Sequence, residues 1–467
     1  MSTRKPQAGL LPLYLELYDQ SVPEMRKKIE GFYKETAERL QNAGLEVSTV
    51  PICRLACEFA DALNLFEKNQ ADAVITLHLA YSPSLESEEA LRKTNLPLIV
   101  LDTTPGYVFD QSTDPEAILY NHGIHGVQDM CNLLIRSKKV FTICAGHMDH
   151  SDVLERVVKA SKAAVMVKAL RNCRAGLVGK PFKGMGDFSI PFNDMQRDLG
   201  ITVIPYDNKM GESYISSITN EEINNEYKRD SERFEIDKNL NREVYNRSAR
   251  VCLGLRKWLN EEKLTALSIN FLESSCNNKG LPIMPFTECS NAMSEGLGYA
   301  GEGDILTAAF VGALLSAFKE TTFSEIFCPD WKNGTVFMSH MGEYNFNIAD
   351  GKPFLTEKPF PFTDAENPTV AYKTMKAGQV TLVNFAPFGK GVYGITAALG
   401  EMLPIKGDNK LNLTVNGWFK PQMKLESFLE AYSRCGGTHH LALVYGDVTE
   451  EIKLFAAYLG CKMNLLC

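Results

Sequence analysis

The sequence predicts an α/β protein: two Rossmann-like, doubly wound α/β domains followed by a mainly β C-terminal domain. Strand and helix patterns alternate through the first part of the chain, and the alternation restarts at Ala175. Beyond residue 325, short strands separated by Gly, Pro and Asn turns replace it. At 467 residues the chain exceeds what one hydrophobic core supports. Domains are therefore expected at 1–171, 172–324 and 325–467.

The first strand is read at Leu11–Tyr18. A helix opens at Ser21, where Ser21 and Glu24 have capping-box spacing and Pro23 suits the first turn. Met25, Ile29, Phe32 and Leu40 share one helical face, and Gly44 ends it. A strand at Leu45–Ile52 and a helix at Ala56–Phe66 follow. Ala73–Leu79 and Leu96–Leu101 are continuous apolar runs of strand length, as parallel strands covered on both faces require. Val140–Cys144 is the fifth strand, and Leu154–Val167 a further helix. In the second domain, Ala175–Gly179, Thr202–Pro205 and Ala266–Phe271 read as strands. Helices are expected there at Glu221–Asp237, Glu243–Glu262 and Ile305–Phe318. The third domain has strand patterns at Thr335–Met338, Val380–Phe385, Gly391–Ala397 and Leu411–Val415, with helices at Leu425–Tyr432 and Glu450–Leu459.

Composition narrows the function. Hydrophobic residues are 45% and charged residues 23% of the chain, which is the globular range. The net charge of −8 is spread without a basic stripe, so no nucleic-acid partner is expected. No apolar run approaches the ~20 residues that span a bilayer. The N-terminus lacks a small-residue cleavage site, and the 12 cysteines are scattered without a Cys-x-x-Cys pair. Reduced thiols and a cytoplasmic location are the expectation.

Gly296-Leu-Gly298-Tyr-Ala-Gly301 formally matches the dinucleotide fingerprint, but that motif works at the end of a strand. Glu288–Glu295 is polar and helix-compatible, so the segment is read as a turn that brings backbone close to a ligand, and no nucleotide is expected. It delivers Glu302 to the start of a helix, whose dipole favours a carboxylate. Glu325 sits between Phe323 and Ile326-Phe327, an unusually apolar setting for a glutamate. His340 follows a strand, and His439-His440 follow Gly436-Gly-Thr438. Neighbours on a strand face opposite sides, so only one of that pair is expected to enter a given pocket. Glu302, Glu325, His340 and His440 can close around one divalent cation.

His147-Met-Asp149-His150 is a competing metal motif, although Asp149 or Ser151 there can equally cap the next helix. His122 and His125 lie between glycines, in a loop that either meets a ligand or is solvated. Tyr81 closes the third strand at the sheet edge where open α/β folds bind ligands. No G-x-S-x-G elbow of a serine hydrolase is present.

Together these segments resemble the L-arabinose isomerase family, within the arabinose/fucose isomerase group. The likeness is carried by Tyr299-Ala-Gly-Glu-Gly-Asp304 with Thr307-Ala-Ala309, and by Thr322-Phe-Ser-Glu325. It continues through Ser339-His-Met341 and Gly436-Gly-Thr-His-His440, more weakly through Leu77–Pro83, Asn121–Gly126 and Cys144–His147. The resemblance implies metal ligands at Glu302, Glu325, His340 and His440, with the two glutamates also the catalytic acid/base pair. It places His439 beside the substrate and Phe327 and Met341 along the pocket. His125 and Tyr81 would reach the sugar from a neighbouring subunit of a trimer or hexamer. In place of the family's Gly-Ser-Gln-His this chain has Tyr14-Leu-Glu16-Leu-Tyr18-Asp19, so a glutamine contact is absent or taken by Glu16. Phe327 stands where a tyrosine is usual, His122 where a glutamine is, and the link from Glu325 to His340 is two residues shorter. The implied activity is metal-dependent aldose–ketose isomerisation, L-arabinose to L-ribulose in type. Mn²⁺ best suits the mixed O/N donors, with Co²⁺ or Mg²⁺ as alternatives. The alternatives are another aldose such as L-fucose or D-galactose, a different metal-dependent enzyme such as a hydrolase, or a non-catalytic sugar-binding protein.

Overall fold

The computed structural model describes residues 4–467, which form two compact units: Arg4–Lys168 with Glu450–Gly460, and Ala169–Thr449 with Cys461–Cys467. The first unit holds a five-stranded sheet made of Gln7–Leu13, Glu46–Thr49, Ala73–His78, Leu98–Asp102 and Phe141–Ala145. All neighbours are parallel, and the order in space is second, first, third, fourth, fifth. Ala73–His78 and Leu98–Val100 are buried because helices cover both faces of the sheet.

The N-terminal expectation is corrected. The first strand stops at Leu13, and Glu16–Ser21 is a short helix, so Glu16 and Tyr18 are helical rather than strand residues. Ser21 ends that helix, its Oγ donating to the Leu17 carbonyl at 2.9 Å. The long helix begins only at Met25, so the capping box is absent.

The second unit contains three sheets. Arg174–Val178, Thr202–Pro205, Ala266–Ile269 and Gly298–Gly301 form a four-stranded parallel sheet. Gly298–Gly301 is thus a fully buried strand, not the turn that its glycines suggested. Glycine is needed there because the chain runs against a helix: a Cβ on Gly298 would lie 2.1 Å from the Ala308 carbonyl oxygen. That helix, Ile305–Ala317, is apolar almost all round, as befits one buried on every side.

Thr321–Asp330, Thr335–Ser339, Gly378–Gly389, Val392–Met402, Gly417–Pro421 and His440–Tyr445 close into an antiparallel ring, with Lys462–Leu466 added in parallel to Val392–Met402. A small sheet of Glu235–Ile236, Phe354–Glu357 and Thr369–Tyr372 lies apart. Leu411–Val415 is not a strand; its turn precedes the strand at Gly417. No helix among the described residues is long and apolar enough to cross a membrane.

Candidate active site

The carboxyl ends of the four-stranded sheet, where open α/β sheets bind ligands, supply the first half of the site. Glu302 directly follows the strand Gly298–Gly301 and takes a left-handed φ of +62°. For a residue with a side chain this costs on the order of 1–3 kcal/mol and persists only where the surroundings impose it. They do so here: the Glu302 N–H donates to the Ile269 carbonyl, and its own carbonyl accepts from Phe182 N–H, both at 2.8 Å. The flanking glycines are sterically required. A Cβ on Gly301 would come within 2.8 Å of His340 Cε1, and one on Gly303 within 2.6 Å of Pro181 Cα.

The barrel supplies the second half through register. Glu325 pairs with Ser339 on one side and His440 on the other, so His340, one residue past Ser339, and His440 flank it. The result is a half-buried cluster. Ligating atoms of Glu302, Glu325, His439 and His440 all lie within 4.8 Å of one another. His440 Nε2 is 2.9 Å from Glu302 Oε2 and 3.0 Å from Glu325 Oε1. His439 Nε2 is 3.8 Å from each of the same two oxygens. His340 stands at the edge of the group, its Nε2 3.9 Å from Glu325 Oε1.

Both members of the histidine pair therefore face the cluster, their ring centroids 4.3 Å apart. The expected alternation fails because the strand begins at His440, leaving His439 in the preceding turn, free of the two-residue period.

Each imidazole also meets a carboxylate through Nδ1. The distances are 2.9 Å from His440 to Asp304, 2.6 Å from His439 to Asp187, and 3.0 Å from His340 to Glu343. For His439 and His440 that carboxylate hydrogen-bonds Nδ1, which fixes the tautomer and leaves Nε2 with its lone pair toward the centre, the arrangement that supports metal-bound histidines; His340 Nδ1 and Glu343 are in close contact without hydrogen-bond geometry. Asp304 serves twice, since its Oδ1 caps the helix Ile305–Ala317 by accepting from Thr307 N–H at 2.9 Å. Phe188 stacks on His440 at 5.2 Å and Phe323 meets it edge-on at 4.9 Å, walling the cluster with apolar surface.

The electrostatics reflect crowded negative charge. Burial opposes ionisation of Glu302, but the nearby His439, the hydrogen bond to His440 and the charges of His340 and His440 hold it far below the usual carboxylate range. His439 is pushed up to about 9, first by its bond to Asp187 and then by Glu302. Burial works against a charged His440, yet Asp304, Glu302 and Glu325 together raise it well above an ordinary imidazole. A centre that draws positive charge this strongly, with oxygen and nitrogen donors a few ångströms apart, fits a divalent cation in place of those protons. Glu302, Glu325, His439 and His440 would hold it, with His340 adjacent.

The remaining sequence candidates fall elsewhere. Phe327 continues the strand beyond Glu325 and is 48% exposed, while Met341 follows His340 and its carbonyl accepts from Lys358 Nζ. Glu16, Tyr81, His122 and His125 belong to the other unit. There His122 Nε2 is 3.0 Å from Tyr18 OH, His125 is 5.8 Å from His122 ring to ring, and Tyr81 OH donates to Asp129 at 3.4 Å. The competing motif takes its structural role: Ser151 Oγ accepts from Val153 N–H at 3.3 Å at the head of a helix, and Asp149 pairs with Arg39. Asp187, Asp304 and Glu343 went unrecognised in the sequence as histidine partners.

Fold and centre define an α/β protein with a candidate metal-binding site. The family models of the L-arabinose isomerase central domain and C-terminal domain match residues 193–319 and 320–462 respectively. The chain is 25% identical to an L-arabinose isomerase of Geobacillus kaustophilus over 432 residues, 89% of this chain and 84% of that one. It is 24% identical to those of Actinobacillus succinogenes over 85% of this chain and 81% of that one, and of Leuconostoc mesenteroides over 94% of each. The chain belongs to the L-arabinose isomerase family and is an aldose–ketose isomerase by class.

Proposed function

We propose that this enzyme converts an aldose of the L-arabinose type to its ketose by metal-dependent proton transfer between C2 and C1 through an enediol. The observation that carries the reading is the convergence of Glu302, Glu325, His439 and His440 within 4.8 Å. Glu302 and Glu325 approach His440 Nε2 from different elements, which lets them flank a pair of adjacent carbons. One takes the proton from carbon and the other serves the sugar oxygens. The strong depression of Glu302 keeps it ionised. His440, buried between Phe188 and Phe323, stays in place throughout, while the half-exposed His439 faces the arriving sugar. A bound divalent cation, Mn²⁺ by the donor set, supplies Lewis-acid stabilisation of the developing oxyanion.

The names of the relatives favour L-arabinose as substrate. The runner-up is another aldose, such as L-fucose or D-galactose, because the departures at Glu16, His122 and Phe327 fall on positions that choose among hydroxyl orientations. We further infer three domains at 1–171, 172–324 and 325–467, a cytoplasmic location, and a trimer or hexamer in which His125, His122, Tyr81 and Glu16 serve a neighbour's site. A panel of aldoses with added Mn²⁺, scored for ketose, tests the reading. L-Arabinose is expected to turn over fastest, and no ketose from any sugar would refute it.

A further inference from the structure

We propose that Glu343 is a positioning residue of this centre, locking the His340 imidazole with Nε2 aimed at Glu325, and that Tyr299 and Lys358 lock Glu343 in turn. The inference rests on the metal-dependent reading above.

Glu343 is almost completely buried, at 1% exposure. A lone carboxylate there costs several kcal/mol to desolvate, and an apolar residue of similar volume is often no less stable. Each of its oxygens is nevertheless committed. Oε1 accepts from Tyr299 OH at 2.6 Å, while Oε2 accepts from Gly342 N–H at 2.8 Å and lies 3.0 Å from His340 Nδ1. Tyr299 is fully buried on the strand that ends at Glu302, so the carboxylate ties the His340 turn to the element carrying the first catalytic glutamate. From the other side the part-buried Lys358 ammonium donates to the Met341 carbonyl, fixing the residue between His340 and Gly342 and placing a compensating charge near Glu343. The His340 ring has little freedom to turn: Gly301 abuts it, and Phe323 packs edge-on at 4.7 Å. With Nδ1 3.0 Å from the Glu343 carboxylate, the ring nitrogen facing the centre is Nε2, which brings His340 to the edge of a cluster whose tightest four members do not include it.

The test is a Mn²⁺ titration of the metal-free, full-length protein by calorimetry, for wild type, Glu343→Gln, His340→Asn, the double variant and Tyr299→Phe. Glutamine keeps the volume but can turn an N–H toward Nδ1. Glu343→Gln is expected to weaken Mn²⁺ binding 10–100-fold, on the order seen when such outer partners are removed. The double variant should bind no more weakly than His340→Asn alone, because both changes act through the same imidazole. Tyr299→Phe should weaken binding less, and it carries the test if Glu343→Gln fails to fold. Wild-type affinity in both Glu343→Gln and Tyr299→Phe, or additive losses in the double variant, would overturn the proposal while leaving the metal site standing. A wild-type protein that binds no Mn²⁺ would remove both.

Discussion

Asp304 offers a separable test, because its two oxygens do two jobs. Oδ1 caps the helix Ile305–Ala317 through Thr307 N–H, and Oδ2 holds His440 Nδ1, each at 2.9 Å and in a fully buried setting. Loss of a cap costs about 1 kcal/mol, and loss of a hydrogen bond to a charged group costs about 1.5–3 kcal/mol. Asp304→Ala loses both, so roughly 2.5–4 kcal/mol of stability should disappear together with metal binding. Asp304→Asn keeps a cap acceptor but offers His440 an N–H, which favours the tautomer whose Nε2 carries the proton. Its stability should stay within about 1 kcal/mol of wild type, while Mn²⁺ affinity falls on the order of 10–100-fold. Denaturant unfolding of the metal-free proteins reads the first quantity and Mn²⁺ calorimetry the second. If Asp304→Asn binds Mn²⁺ normally, or destabilises as much as the alanine, the division of labour at Asp304 is wrong.

Glu302→Gln should lower isomerisation by at least about a thousandfold, on the scale of lost general acid–base catalysis with its charge stabilisation, while sugar still binds; near-normal turnover would remove Glu302 from the chemistry. Turnover in D₂O should place solvent deuterium on the carbons of the interconverted pair, an outcome that hydrolysis cannot give, and its absence would argue against an enediol exposed to exchange. Gly301→Ala would thrust a methyl to 3.0 Å from His340 Nε2, and an overpacking strain of about 1–3 kcal/mol should appear as weaker Mn²⁺ binding with the same far-ultraviolet spectrum. Buried His78, neither ring nitrogen partnered, is pushed down to about 3 by desolvation, against a small opposing pull from Asp129. The unfolded chain takes up that proton near pH 6.5 and the folded one does not, so stability is whole above 6.5 and drains as pH falls toward 3. By pH 5 the loss is about 2 kcal/mol, and His78→Met should flatten the dependence in denaturant titrations; an unchanged pH profile would show that His78 is not its source.

Much of the fold was legible because its signals are local. The apolar runs Ala73–His78 and Leu98–Asp102 need only their own residues to announce buried parallel strands. The misreadings arose where tertiary packing sets the boundary. Gly298–Gly301 carries only one large apolar side chain, yet it is a strand because nothing bulkier fits against the helix beneath it. Leu11–Leu15 is apolar throughout, and no residue in it marks the end of extension at Leu13, just before a short helix begins at Glu16. At the site, the glutamates and histidines were visible through their motifs, but their partners were not. Asp187 and Asp304 act on residues 252 and 136 positions away, and no spacing rule reaches that far. Glu343 is the exception, lying three residues after His340, close enough to have been suspected.

Anomalous diffraction from crystals grown with Mn²⁺ tests the central claim most directly. A single strong peak is expected at coordination distance from a carboxylate oxygen of both Glu302 and Glu325 and from Nε2 of His440. Its absence, or a peak bound only by other residues, would contradict the convergence on which the whole mechanism depends.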